Sequence, residues 1–131
     1  MHQPRNVAVG EKIFLGRFTG WDWAFTKAVI VSKTPKGLID VQIHPESETM
    51  RFRTNGNKIG AGYHDYEIDW MPFAEREDAL AKEARAKAAR TAIRSITIPD
   101  VGQNYDKTGL EEILNNLQAK IDEARALVAE I

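Results

Sequence analysis

The sequence predicts an α+β fold: a small antiparallel β-barrel or curled sheet over residues 1–71, then a helical extension over residues 72–131. Three observations carry that expectation. The first seventy residues alternate apolar and polar side chains in short runs broken by Gly, Pro and Asn, the period of strands and tight turns. Pro72 ends the alternation and suits the first turn of a helix. Beyond it, two stretches place their apolar residues at helical spacing.

The strands follow in order. "VAVGEKIFLGRF" sets Val7 and Val9 two apart, then meets Gly10 and the apolar run Ile13-Phe14-Leu15. In "GWDWAFTKAVIVSK", Trp21, Trp23 and Phe25 share one parity, while Ala24, Thr26, Ala28 and Ile30 share the other. The second series is small and regular, as the inside of a tight barrel requires. The tryptophans are therefore expected on the outer face, beneath a helix of the same chain or open to a partner. After the turn "TPKG", "GLIDVQIH" alternates Leu38, Asp40 and Gln42 against Ile39, Val41 and Ile43. "ETMRFRTNGNKIG" sets Met50 and Phe52 against Arg51 and Arg53, then reaches Asn55-Gly56, a strong tight-turn pair. "YHDYEIDW" sets Tyr66, Ile68 and Trp70 against Asp65, Glu67 and Asp69.

"FAEREDALAKEARAKAARTAIRSI" contains strong helix formers and neither Gly nor Pro, predicting a helix over about 72–95. Its less polar stripe, Phe73, Leu80, Ala84, Ala88 and Ala92, is mostly alanine, which lets another backbone approach closely. "TIPDVGQNYDK" reads as a loop. Thr108 with Glu111 three residues on has capping-box spacing and predicts a second helix over about 108–130. Leu110, Leu114, Leu117, Ile121, Ala124, Val128 and Ile131 alternate spacings of four and three, a heptad seam. The seam fits either an intramolecular antiparallel helix pair or a homodimer through Leu110, Leu114, Leu117, Ile121 and Val128.

A chain of 131 residues with 43% hydrophobic and 28% charged side chains suits one compact domain, or a small barrel with an appended helical element. The net charge of −1 argues against a whole-surface nucleic-acid binder and equally against a wholesale DNA mimic. The charge is unevenly spread: +1 over residues 1–72, +2 over 73–95 and −4 over 96–131, so the two helical stretches are expected to attract each other. The absence of cysteine excludes disulfides, thiolate metal sites and a cysteine nucleophile. With neither a secretory signal nor an apolar run of spanning length, a soluble, cytoplasmic protein is expected.

Asp65, Glu67 and Asp69, with His64, form the densest cluster of possible metal ligands. Carboxylates about 7 Å apart at each two-residue step cannot meet on one ion unless the strand bends, so no metal or cofactor is expected. Pairing of that acidic face with Arg51 and Arg53 on a neighbouring strand is the simpler reading. His2, His44 and His64 lie beside neither a serine-nucleophile motif nor zinc-ligand spacing, and "GNKIGAG" lacks the ending of a phosphate loop. No catalytic residues are identified, and a binding protein is expected rather than an enzyme. The candidate binding residues are Trp21, Trp23, Arg51, Arg53, Tyr63, His64 and Tyr66. Arginine beside aromatic planes can stack on nucleobases and neutralise phosphates, and the same mixture is favoured at the centres of protein interfaces.

The order of "VGEKIFL", "KAVIVSK", "MRFRTNG", the Ala/Arg-rich helix and the "TGLEEIL" start resembles small β-barrel proteins of bacteriophage genomes known only as hypothetical. The likeness covers most of residues 7–117, and the barrel part is similar to the Src-homology-3-like and KOW barrels. The resemblance implies an accessory protein acting in the host cytoplasm. Its expected work is inhibition of a host enzyme or defence system, by blocking a host or phage protein. The alternative is sequestration of a nucleotide or nucleic acid through Arg51, Arg53 and the nearby aromatics. A metal-dependent enzyme built on the acidic cluster is the third reading.

Overall fold

A computed structural model describes residues 3–43, 46–62 and 64–131. His2, His44 and Tyr63 lie outside the described residues. The chain is α+β, a curled five-stranded antiparallel sheet followed by two helices. The strands are β1 (Lys12–Phe18), β2 (Trp23–Lys33), β3 (Ile39–Gln42), β4 (Met50–Phe52) and β5 (Glu67–Asp69), in the order β4-β3-β2-β1-β5. Val7 and Val9 are not in a strand: Val7 is buried in the core, whereas Val9 is exposed just before a turn at Gly10.

The two edge strands are brought together by the chain that follows Asn55-Gly56. Arg53 N donates to Asn57 O at 2.8 Å, Ile59 N to Arg51 O at 2.9 Å, and Ile68 N to Gly56 O at 2.9 Å. Bridges Phe52–Lys58 and Asn57–Glu67 complete this link, so residues 56–59 cover parts of both edges that would otherwise leave backbone groups unpaired. Gly56 makes the turn possible on two counts. Its φ is +92°, and a Cβ there would stand 2.8 Å from the buried indole nitrogen of Trp70.

One face of the sheet holds the core: Ile13, Leu15, Ala28, Ile30, Ile39, Val41, Phe52, Ile68 and Trp70, joined by Val7. The parity expected for Ala28 and Ile30 holds, although Ala24 of the same series is exposed. On the opposite face the register sets Phe14 beside Lys27, Gly16 beside Phe25 and Phe18 beside Trp23. The first turn of α1 (Phe73–Arg94) lands on one end of that face. Phe73 stacks on Phe14 at 4.7 Å, and the Arg76 guanidinium lies 4.2 Å over Phe25. Arg76 also binds the fully buried Asp69 carboxylate through two hydrogen bonds of 2.6 and 3.1 Å.

That geometry corrects the expected pairing of the acidic strand with Arg51 and Arg53. Arg51 binds Asp40 instead, at 2.8 and 3.1 Å, because β4 neighbours β3 and not β5. Asp65 pairs with Lys58 at 3.2 Å and Asp69 with Arg76, so the carboxylates point to separate cations. Nor is the acidic face uniformly exposed, since Asp69 is fully buried and Glu67 half-buried.

The chain divides into two units, Met1–Arg76 and Glu77–Ile131, the boundary falling one turn into α1. The second unit holds the rest of α1 and α2 (Lys107–Ala129). The N-cap of α2 is Asp106, whose carboxylate accepts from Gly109 N at 2.9 Å, two residues before the expected Thr108. In α1 the buried residue is Ala89, whereas Ala84 and Ala88 of the expected stripe are exposed. In α2, Ala124 is buried and Ile113, Leu117, Ile121 and Leu127 are half-buried. The expected seam therefore splits, with Leu117, Ile121 and Ala124 on the covered face and Leu110, Leu114, Val128 and Ile131 exposed. No helix is long and apolar enough to cross a membrane.

Candidate functional site

The β1–β2 hairpin ends in the two-residue turn Gly20-Trp21. Gly20 takes a φ of +95°, the positive value that primed hairpin turns demand. Thr19 N donates to Asp22 O at 2.8 Å, Thr19 Oγ1 to the same oxygen at 2.9 Å, and Trp23 N to the Asp22 carboxylate at 2.8 Å. Asp22, the acid between the tryptophans, is thus a brace. It leaves Trp21 95% exposed at the tip and sets Trp23, 38% exposed, on the outer face.

Trp23 borders a cleft of about 620 Å³, within the range typical of small-ligand sites. Three segments build it. The hairpin end supplies Phe18 and Trp23, the chain after β4 supplies Arg53, Asn57 and Lys58, and residues 60–62 and 64–67 supply the remaining wall, including His64, Asp65, Tyr66 and Glu67. The aromatic side is continuous, with the Phe18 ring 5.7 Å from Trp23 and 5.7 Å from His64. His64 reaches its place through a φ of +64°, an unusual backbone for a non-glycine residue. Tyr66 packs its ring against the core, while the Arg17 guanidinium lies 5.4 Å from the ring centroid. Gly16 lacks the Cβ that would stand 3.3 Å from both the Trp23 and Phe25 rings, so those rings lie close over β1.

The charged groups of the cleft fall into two classes. Lys58 and Asp65 are spent on each other. The Tyr66 backbone N–H, donating at 2.7 Å, and the Lys58 ammonium hold the Asp65 carboxyl below its ordinary range. Arg53 is uncommitted, its side chain making no hydrogen bond or ion pair among the described residues, whereas the Glu67 carboxylate is attracted by the N-terminal ammonium. Arg53 is exposed at the cleft wall. Glu67 is half-buried, and desolvation pushes its carboxyl above the ordinary glutamate value.

Of the residues the sequence singled out, the cleft gathers Trp23, Arg53, His64 and Tyr66. It does not include Arg51, which is tied to Asp40 on β3, nor Trp21, which projects from the turn. Tyr63 lies outside the described residues. Phe18, Asn57, Lys58 and Glu67 were not among the sequence candidates. The parity of Phe18 with the tryptophans across a hairpin was the available signal for the first of them. Among the described residues no three His, Asp or Glu side chains group as a metal site.

No protein-family model, curated protein or solved structure matches the chain.

Proposed function

We propose that the protein binds a nucleotide in this cleft and works by holding it, without chemistry. The observation that carries the reading is the uncommitted Arg53 guanidinium on the wall of a 620 Å³ cleft whose other walls include Trp23, Phe18 and Tyr66. A planar base gains by stacking on aromatic rings, and a guanidinium with no carboxylate partner among the described residues meets a phosphate without first giving one up. The near-zero net charge fits a single small ligand better than a long polyanion. Sequestration of a nucleotide is also one of the roles the phage resemblance implies.

Titration calorimetry of the intact chain with ribonucleoside monophosphates tests the reading. Arg53→Ala is expected to weaken binding about tenfold or more, as loss of a charge-assisted hydrogen bond does. Arg51→Ala, which removes a guanidinium already paired with Asp40, is expected to leave the dissociation constant unchanged. Equal losses from the two substitutions would point to diffuse electrostatics and remove the cleft from the account.

A second reading has its own observation. Trp21 is nearly fully exposed on a turn held by three hydrogen bonds, a rigid aromatic anchor of the kind that dominates protein interfaces. Blocking a host protein through Trp21 is the other role the resemblance implies. A complex recovered from lysate that is lost with Trp21→Ala and kept with Arg53→Ala would support it.

A further inference from the structure

Resting on the nucleotide reading, we infer that the base held in the cleft is guanine, read along its Watson–Crick edge by Glu67 and Asn57. The two residues face each other across the Asn57–Glu67 bridge, so their side chains leave the ladder as neighbours, with Cβ atoms about 5 Å apart. Both line the cleft, beside Trp23 and Phe18. The Asn57 backbone N–H is committed to Asn55 Oδ1 at 3.0 Å, whereas its side-chain amide makes no hydrogen bond among the described residues. The Glu67 carboxylate likewise makes no hydrogen bond among the described residues.

The chemistry of the pair is directional. An ionised carboxylate offers two acceptor oxygens side by side, and the asparagine amide offers N–H donors next to them. Guanine presents the complement along one edge, with N1–H and N2–H₂ as adjacent donors and O6 as an acceptor. Both carboxylate oxygens are satisfied by N1–H and N2–H₂, and the Asn57 amide donates to O6. Adenine places only its N6–H₂ donor on that edge beside the N1 lone pair, which faces the second oxygen and repels it. Cytosine has one exocyclic donor followed by two acceptors, and uracil a single N3–H between two carbonyls. A half-buried carboxylate gains from a ligand that brings two donors. Trp23 and Phe18 give the ring its stacking surface, and Arg53 takes the phosphate.

The test titrates the intact chain with GMP, IMP, AMP, CMP and UMP at one fixed low salt concentration. GMP is expected to bind most tightly, about tenfold or more above AMP, as a bidentate base contact provides. IMP, which lacks the N2 amino group, is expected in between. Glu67→Gln is expected to abolish the preference for GMP over AMP. In a separate variant, Asn57→Asp turns the O6 donor into a repelling acceptor and is expected to weaken GMP and IMP, which share O6, but not AMP. Circular dichroism confirms that each variant is folded. A pentauridylate carrying one central guanosine separates the two sources of the base: affinity above that of GMP assigns a strand, and affinity at or below it assigns the free nucleotide. Equal affinities for all five monophosphates, or a GMP preference that survives Glu67→Gln, overturn the guanine assignment and leave the cleft reading standing. No binding of any monophosphate at millimolar concentration overturns the cleft reading, and the guanine assignment with it.

Discussion

The outer face of the β1–β2 hairpin ends differently at its two ends. At one end Phe14 and Phe25 are covered by the chain's own α1, through Phe73 stacked at 4.7 Å and Arg76 lying 4.2 Å over the ring. At the other end Phe18 and Trp23 are 37% and 38% exposed and border the cleft. The ingredients are the same, aromatic rings with a carboxylate of β5 and an arginine. At the closed end the carboxylate and arginine bind each other, as Asp69 and Arg76. At the open end Glu67 and Arg53 line one cleft and do not bind each other. One end is finished by folding, and the other is left with groups that a ligand can satisfy. The tryptophans of "GWDWAF" sit at the open end, while Phe25, two residues further along, belongs to the closed one.

The largest effect expected from breaking this contrast is at the closed end. Asp69→Ala leaves the Arg76 guanidinium largely buried without its carboxylate, and should cost about 3–5 kcal/mol of unfolding free energy in urea titrations. The fraction that remains folded should bind ligand normally, because Asp69 is not part of the cleft. A loss of affinity in that folded fraction would show that the two ends are not separable. Gly56→Ala tests the link between them. A side chain forced into a φ of +92° costs about 1–3 kcal/mol, and the 2.8 Å approach to Trp70 adds to it. Because Gly56 sets the course of the segment carrying Asn57 and Lys58, this substitution should lower stability and affinity together.

The alternation of the strands was enough to separate the faces of the sheet. Ala28 and Ile30 point into the core and Trp23 points out, as period two requires. Alternation does not give strand order, and ion pairing depends on order. Arg51 was expected to pair with Asp65, Glu67 and Asp69, and only the β4–β3 neighbourhood chooses Asp40. The α2 seam shows a different limit. Heptad and true helical periods drift apart by about 60° over three repeats, so Ile113 and Leu127 join the covered face while Leu110, Leu114 and Val128 leave it. The cleft was half legible. Its aromatics and Arg53 stand out by type, whereas Glu67, Asn57 and Lys58 are ordinary surface residues until the bridge at Asn57 and Glu67 brings their segments together.

Within the open end, the two tryptophans sharpen the comparison further. Trp23→Ala removes a ring that lies over Gly16 and lines the cleft, and should weaken nucleotide binding by about 1–3 kcal/mol, the worth of one base–aromatic stack. Trp21→Ala removes a ring that is 95% exposed, and should leave both melting temperature and nucleotide affinity unchanged. Fluorescence quenching by added nucleotide should accordingly vanish with Trp23→Ala and persist with Trp21→Ala. Quenching that follows Trp21 instead would move the ligand out of the cleft and onto the hairpin tip.

The smallest effect concerns what the open end costs the fold. Desolvation raises the Glu67 carboxyl above its ordinary value, so the folded chain holds that proton more readily than the unfolded chain. The Glu67 contribution to stability is therefore fully present below the ordinary glutamate pKa of about 4.3, and is lost as pH rises through the higher folded value. Glu67→Gln does not titrate. Its unfolding free energy should match the wild type below that range, then exceed it progressively as pH rises, with the gap levelling once the folded carboxyl is fully ionised. Asp40 supplies the opposite sign in the same molecule. Hydrogen bonds from Arg51 and then Ser32 hold its carboxyl below the ordinary value, so its contribution is present above that value and lost as pH falls through the folded one. A wild type that instead becomes more stable than Glu67→Gln as pH rises would carry the sign of a paired carboxylate. It would mean that attraction by the N-terminal ammonium outweighs desolvation at Glu67.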